Sequence, residues 1–196
     1  RASLHWEHTH LALPPPAPRA ELVGVFPFQN QGDRPVTLLE TQSSCGCTVA
    51  ELPQRVFQPG EKGEIRVVFK PGDRTGAQRN TITVTTDDPA QPRVRLVLET
   101  DIPVPATLRP GILLWRLGSE RDWKTARLTL TPGWSVLEPE KPEAAEILLE
   151  ETETPGELLL RVRPANTDTR EQWELPLLFE QKGGGKREIR LFILVR

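Results

Sequence analysis

The chain has 196 residues, of which 37% are hydrophobic, and 25 basic side chains against 27 acidic ones leave a net charge of −2. That length fits one large domain or two small ones, and the apolar content, with 5 Trp and 6 Phe, suffices for a packed core rather than wholesale disorder. Charges of both signs are interleaved with no basic stripe, which excludes a phosphate-backbone reader. Apolar runs such as Leu191 to Val195 fall far short of the roughly 18 residues that span a bilayer.

Read in chain order, the pattern is one of alternation with period two, broken by turns. Phe26 and Phe28 lie two apart and so share the inward face of a first strand; Asn30-Gln31-Gly32-Asp33 then turns the chain, and Pro35-Val36-Thr37-Leu38 begins the partner strand. Pro59-Gly60-Glu61-Lys62-Gly63 leads into a strand over 64–70 that buries Ile65, Val67 and Phe69. Further strands are predicted over 81–85, 93–99, 126–131, 157–163 and 188–195. They are separated by turns at Pro71-Gly72-Asp73, Asp87-Asp88-Pro89, Pro132-Gly133 and Gly183-Gly184-Gly185. Residues 142–152 compete between a helical turn at Glu143-Ala144-Ala145-Glu146 and a strand. Prolines 139, 142 and 155 around them favour a strand, mainly over Ile147 to Glu150. The 20 prolines, about twice ordinary usage, forbid long helices throughout.

The chain also resembles itself. Leu4-His5-Trp6-Glu7 is similar to Leu113-Leu114-Trp115-Arg116, and Gly63 to Pro71 is similar to Gly156 to Pro164, with Ile82 and Val84 falling where Leu175 and Leu177 do. The offsets, 109 and 93, imply that the later copy lacks 16 residues, among them counterparts of Leu13-Pro14-Pro15-Pro16 and of Cys45-Gly46-Cys47. Two copies of this size match immunoglobulin-like sandwiches. The expected fold is therefore all-β, as two tandem immunoglobulin-like β-sandwiches over 1–103 and 104–196, joined at a short linker, Ile102-Pro103-Val104-Pro105, that its two prolines stiffen. Matching positions for Trp6 and Trp115 imply a shared core or interdomain role rather than ligand binding. With no Met even at position 1, the chain is expected to begin after a processing or cloning event.

Three segments carry a family resemblance: Phe26-Pro27-Phe28-Gln29-Asn30-Gln31-Gly32-Asp33-Arg34-Pro35-Val36, then Ser44-Cys45-Gly46-Cys47-Thr48, then Pro59-Gly60-Glu61-Lys62-Gly63-Glu64-Ile65-Arg66-Val67-Val68-Phe69. In this order and spacing they resemble the bacterial domain-of-unknown-function family 1573, related to the ASH/MSP/hydin group of immunoglobulin-like domains, over roughly residues 4 to 102. The family often has His before a Phe-Gly pair, whereas Leu11-Ala12 follow His10 here. The resemblance implies an exported or lipid-anchored protein and brings no biochemical activity; relatives in the wider group serve mostly as interaction modules.

Cys45 and Cys47, the only cysteines, admit three chemistries. They could be small buried side chains around a Gly46 bulge; a disulfide closing a very small ring, strained and easily reduced; or a thiolate pair suited to Cu(I) or Zn(II). On an extended strand both sulfurs would point to one face. All three histidines fall in His5-Trp6-Glu7-His8-Thr9-His10, and in an extended chain His8 and His10 share a face with Trp6, so a Cys₂His₂ set of Cys45, Cys47, His8 and His10 is the candidate metal site. No placed base accompanies Ser43 or Ser44. The glutamates at 138, 140, 143, 146, 150, 151 and 153 read as a solvated face, and Asp87-Asp88 as turn chemistry rather than a Ca²⁺ site. Trp123 or Trp134, if exposed beside Pro132-Gly133, would offer a stacking platform for carbohydrate or peptide.

The functional expectation is a non-catalytic interaction or scaffolding module of the bacterial cell envelope. It is extracytoplasmic (periplasmic, secreted or lipid-anchored), without catalytic residues or a resident cofactor, and binds a protein partner, not nucleic acid, through strand edges or end loops. The alternative is a copper- or zinc-binding or thiol-redox protein acting through Cys45 and Cys47.

Overall fold

The structure, a computed structural model, describes residues 3–196 and consists of seventeen strands with no helix among those residues. The chain divides into two compact units, the first ending at Pro103 and the second running Val104–Arg196.

In the first unit one sheet has the order β1 (Leu4–Trp6), β3 (Leu22–Asn30), β7 (Lys62–Phe69), β5 (Thr48–Glu51). The other has the order β2 (His10–Ala12), β9 (Arg93–Ile102), β8 (Gly76–Thr86), β4 (Val36–Ser43), β6 (Val56–Phe57). Alternation explains the layering. Phe26, Phe28, Ile65, Val67 and Phe69 from the first sheet meet Leu38, Ile82, Val84, Leu96 and Leu98 from the second in one dry core. Pro27 sits inside β3 without breaking it. Its carbonyl accepts from the Glu7 amide, so its nitrogen faces the same way, past the end of β1, where no ladder donor is needed.

The segments that look like a signature have a structural reason. Asn30 is fully buried: its Nδ2 donates to the carbonyls of Arg34 (2.8 Å) and Phe57 (2.9 Å), and its Oδ1 accepts from the Gly32 amide (3.0 Å). Its backbone exchanges bonds with the Pro59-Gly60 turn, Asn30 N to Glu61 O at 2.9 Å and Gly60 N to Asn30 O at 2.7 Å, with Gly60 at φ +83°. Gly63 is required for a different reason: a Cβ there would lie 2.4 Å from the Phe57 ring and 2.6 Å from that of Phe28, two rings already packed edge to face at 4.8 Å.

The second unit repeats this strand order without a counterpart of β6: β10 (Ala106–Arg109), β12 (Lys124–Leu130), β15 (Glu157–Pro164), β14 (Ala145–Glu151) in one sheet, and β11 (Ile112–Trp115), β17 (Lys186–Val195), β16 (Glu171–Gln181), β13 (Trp134–Val136) in the other. Its core is built on Trp115, Leu128, Leu160, Leu175, Phe179, Leu191 and Ile193. β15 stands where β7 does and β16 where β8 does. In each unit one strand, β2 or β11, runs parallel to the last. Trp6 and Trp115, however, are not equivalent: β11 takes the place of β2, whereas Trp6 lies on β1, whose place is taken by β10. Similarity over four residues picked up an apolar-Trp pairing, not a structural register. The strand expected mainly over 147–150 begins earlier, at Ala145, because Ala145 pairs with Pro164 on β15.

Candidate functional site

The cysteines lie on a turn between the two sheets of the first unit, not on a strand. At the end of β4 the Ser44 amide donates to Thr81 O (2.9 Å) and Ser44 Oγ accepts from the Thr81 amide (3.0 Å), which closes that sheet. The chain then crosses over: Thr48 N donates to Cys45 O at 3.3 Å, and β5 joins the opposite sheet, where Lys70 N holds Cys47 O at 2.9 Å. Gly46 at the apex is exposed, with open space wherever a Cβ would stand.

Within this turn Cys45 and Cys47 are joined as a disulfide, their Cα atoms 5.4 Å apart, within the range ordinary disulfides use. Both are half-buried, and their surroundings differ. Cys45 Sγ accepts from the Cys47 amide at 3.1 Å. Cys47 packs on the hydrophobic core, its sulfur 3.7 Å from Thr48 Oγ1 and 3.9 Å from Asn80 Oδ1. Asn80 is 5% exposed, and its Nδ2 is buried without a partner. Period two could have flagged it: Asn80 falls on the inward face with Ile82 and Val84. What hid it was the chemistry around it, because only the folded chain brings Cys47 over β8.

The histidines are elsewhere. Between β1 and β2 the chain changes sheets, so residues 6, 8 and 10 do not line one face. His8 donates its ring Nε2–H to Val25 O at 2.8 Å and lies 5.7 Å from the Phe26 ring. His10 Nε2 bonds Glu99 Oε2 at 2.8 Å, a carboxylate also held by Arg79. The hydrogen bond from His10 is the main cause that holds the Glu99 carboxyl below its usual range. The structure therefore brings Cys45 and Cys47 together and leaves His8 and His10 apart from them. Among the described residues no group of three or more His, Cys, Asp or Glu side chains is placed to hold a metal ion.

Other candidates resolve into structure. Asp88 is buried and accepts from the amides of Ser3 (3.0 Å) and Ala90 (2.9 Å), and the Ser3 amide above all keeps its carboxyl below the ordinary range. Asp87 Oδ1 accepts from Thr37 N at 2.7 Å. All the glutamates from 138 to 153 are exposed. Trp134 is buried, and Trp123 is half-buried with the guanidinium groups of Arg163 and Arg161 stacked on its ring at 4.7 and 5.3 Å, so neither presents an open face.

A second feature, missed in the sequence as a site, is the free edge of β11. Gly111 O and Trp115 O accept from Phe192 N on β17 and from Arg196 N just past its end. In a parallel ladder the alternate residues, Ile112 and Leu114, then turn their amides and carbonyls outward. Their side chains are 53% and 42% exposed and lie beside Phe192 and Leu194, with exposed Arg170 and Arg196 flanking the same shallow groove.

Residues 5–102 match the family described as "Protein of unknown function (DUF1573)". No curated protein matches the chain. Among solved structures it is similar to the VesB protease of Vibrio cholerae at 11% identity and a TM-score of 0.43, over 50% of this chain and 32% of that one. The chain thus spans about a third of the protease's length. It is also similar to a protein of unknown function from Porphyromonas gingivalis W83 (12% identity, TM-score 0.42, 98% of this chain and 100% of that one). A third similarity is to the ASH / PapD-like domain 7 of human CEP192 (11% identity, TM-score 0.41, 52% and 85%).

Proposed function

The chain belongs to the DUF1573 family, through residues 5–102, and from that premise we propose that it is a non-catalytic protein-binding module of the bacterial cell envelope. The observation that carries this reading is the edge of β11. A strand with unpaired outward amides and two exposed apolar side chains is a ready template for another strand, and natural sheets usually blunt such edges. The occupant that fits is an extended segment of a partner protein with apolar side chains at alternate positions and acidic ones between them. Ile112, Leu114, Phe192 and Leu194 would take the first set, while Arg170 and Arg196 would attract the second. A disulfide at Cys45–Cys47 supports an oxidising, extracytoplasmic compartment.

Site-specific photo-crosslinking in the native envelope tests the reading. A crosslinker at Ile112 is expected to trap a discrete protein species, and one at Leu148, also an exposed apolar side chain, is not. In the same background Leu114→Pro removes one outward amide without touching a bond to β17, and the crosslink is expected to fall at least about tenfold while the melting curve holds. Equal yields at both positions, or a crosslink indifferent to the proline, would overturn the assignment.

A further inference from the structure

The crossover turn of the first unit carries the only two sulfur atoms of the protein. We propose that Cys45–Cys47 is a thiol–disulfide exchange centre, with Cys45 as the sulfur that forms the mixed disulfide, Cys47 as the sulfur that leaves on reduction and resolves the mixed disulfide on reoxidation, and Asn80 as the positioning residue that stabilises reduced Cys47. This goes beyond the binding reading and stands independently of it.

Access comes first. Thiolate attack on a disulfide is directed along the S–S axis, so the attacked sulfur needs open space on the side away from its partner. Cys45 follows an exposed Ser44 and precedes the exposed Gly46 apex, whereas Cys47 is set against the core. A nucleophile therefore meets Cys45 from outside, and Cys47 departs inward.

A thiolate of an external dithiol, on a protein or a small molecule, attacks Cys45 Sγ. The Cys45–Cys47 bond breaks, and Cys47 Sγ leaves with the electron pair as a thiolate, which takes a proton from solvent. The second thiolate of the dithiol then attacks its own sulfur in the mixed disulfide and releases Cys45 Sγ. The external dithiol is oxidised to a disulfide by two electrons, and this protein gains two thiols. Released Cys45 thiolate is stabilised by the Cys47 amide, already 3.1 Å from that sulfur.

Asn80 gives the second observation. A buried amide nitrogen without a partner calls for a reason, since nearly all such groups are satisfied. In the disulfide, Cys47 has no proton to offer Asn80 Oδ1, and Nδ2 has nothing to donate to. Reduction supplies one partner in either protonation state: a Cys47 thiol donates to Oδ1, or a Cys47 thiolate accepts from Nδ2 after a half-turn of the amide, with Thr48 Oγ1–H 3.7 Å from the sulfur as a further donor. Asn80 thus favours the leaving sulfur in either protonation state and touches no incoming substrate.

The test uses the full-length folded protein. The native disulfide is expected to open in millimolar dithiothreitol without denaturant. With glutathione disulfide as the probe, Cys47→Ser is expected to form its mixed disulfide at least about tenfold faster than Cys45→Ser. Acid-quenched reactions of the unaltered, disulfide-bonded protein with reduced glutathione, whose thiolate attacks one sulfur and frees the other, give the same answer without any variant when fragment masses are read between residues 45 and 47, and are expected to place glutathione on Cys45. In Asn80→Ala the equilibrium constant for reduction by dithiothreitol is expected to fall about tenfold, a readout that a purely structural role, weakening both redox states alike, would not move. A disulfide that opens only in denaturant, or adducts divided evenly between the two cysteines, would overturn the exchange centre. An unchanged equilibrium constant in Asn80→Ala would overturn the role of that residue. Loss of the crosslink at β11 would leave all of this standing.

Discussion

At the scale of single residues, two asparagines illustrate opposite uses of a buried amide. Asn30 spends its side chain on three backbone partners and ties the 30–34 turn to the Pro59-Gly60 turn. Truncation would strand the buried Phe57 carbonyl and take the same partner from the part-buried Arg34 carbonyl and Gly32 amide. Asn30→Ala is expected to destabilise the first unit by about 3 kcal/mol, read as a fall in the urea midpoint of its unfolding. Asn80 is buried too and leaves its amide nitrogen unmatched, beside sulfur. The resemblance segments around Asn30 were visible in the sequence, but the reason for their spacing was not: the bonds that join residues 30, 57 and 60 exist only once β3 has paired with β7. Cys45 and Cys47 were conspicuous from composition alone. Which of three chemistries they adopt depended on the turn that the crossover imposes and on what β8 places under it.

At the scale of elements, carboxylates fasten the ends of strands. Asp88 in the turn between β8 and β9 holds the residue before β1, and Glu99 on β9 holds His10 of β2 and Arg79 of β8. Both carboxyls lie below their ordinary range, Asp88 through the Ser3 amide and Glu99 through His10. A carboxylate depressed in the folded state contributes stability above its unfolded pKa, about 4, and loses that contribution as pH falls through the folded value. The melting temperature of the first unit is therefore expected to hold between pH 7 and about 5 and to drop below about pH 4. Asp88→Asn is expected to flatten that acid limb, as followed by circular dichroism against pH. A slope as steep in the variant as in the parent would show that Asp88 contributes nothing to it. Strand positions were legible because a half-buried strand writes its period into the chain. The histidine segment was not, because one change of sheet between β1 and β2 sends His8 to β3 and His10 to Glu99, and nothing local announces that switch.

At the scale of the whole molecule, the two units keep separate cores. One cluster is drawn wholly from Leu4 to Ile102 and the other wholly from Ala106 to Val195. Removing core volume in one should then leave the other's unfolding in place. Leu160→Ala, at a fully buried position, is expected to cost about 3 kcal/mol and to lower one calorimetric transition while the second stays within a degree or so. A single transition shifting as a whole would show that the units unfold together.

What the sequence determined by itself was everything governed by neighbours along the chain: strand after strand from alternation, turns from Gly, Pro and Asp, and an all-β fold with no helix among the described residues. Alternation needs no partner to be visible, since it states only which side of a strand meets the core. Tertiary structure decided what depends on segments distant in the chain. It placed the cysteines on a crossover above Asn80, scattered the histidines, made β11 rather than β10 the counterpart of β2, and left the outward amides of Ile112 and Leu114 without a backbone partner among the described residues. The physical reason is that hydrogen-bond pairing between strands and the order of strands in a sheet are relations between remote residues, and a period of two carries no information about which remote residue lies opposite.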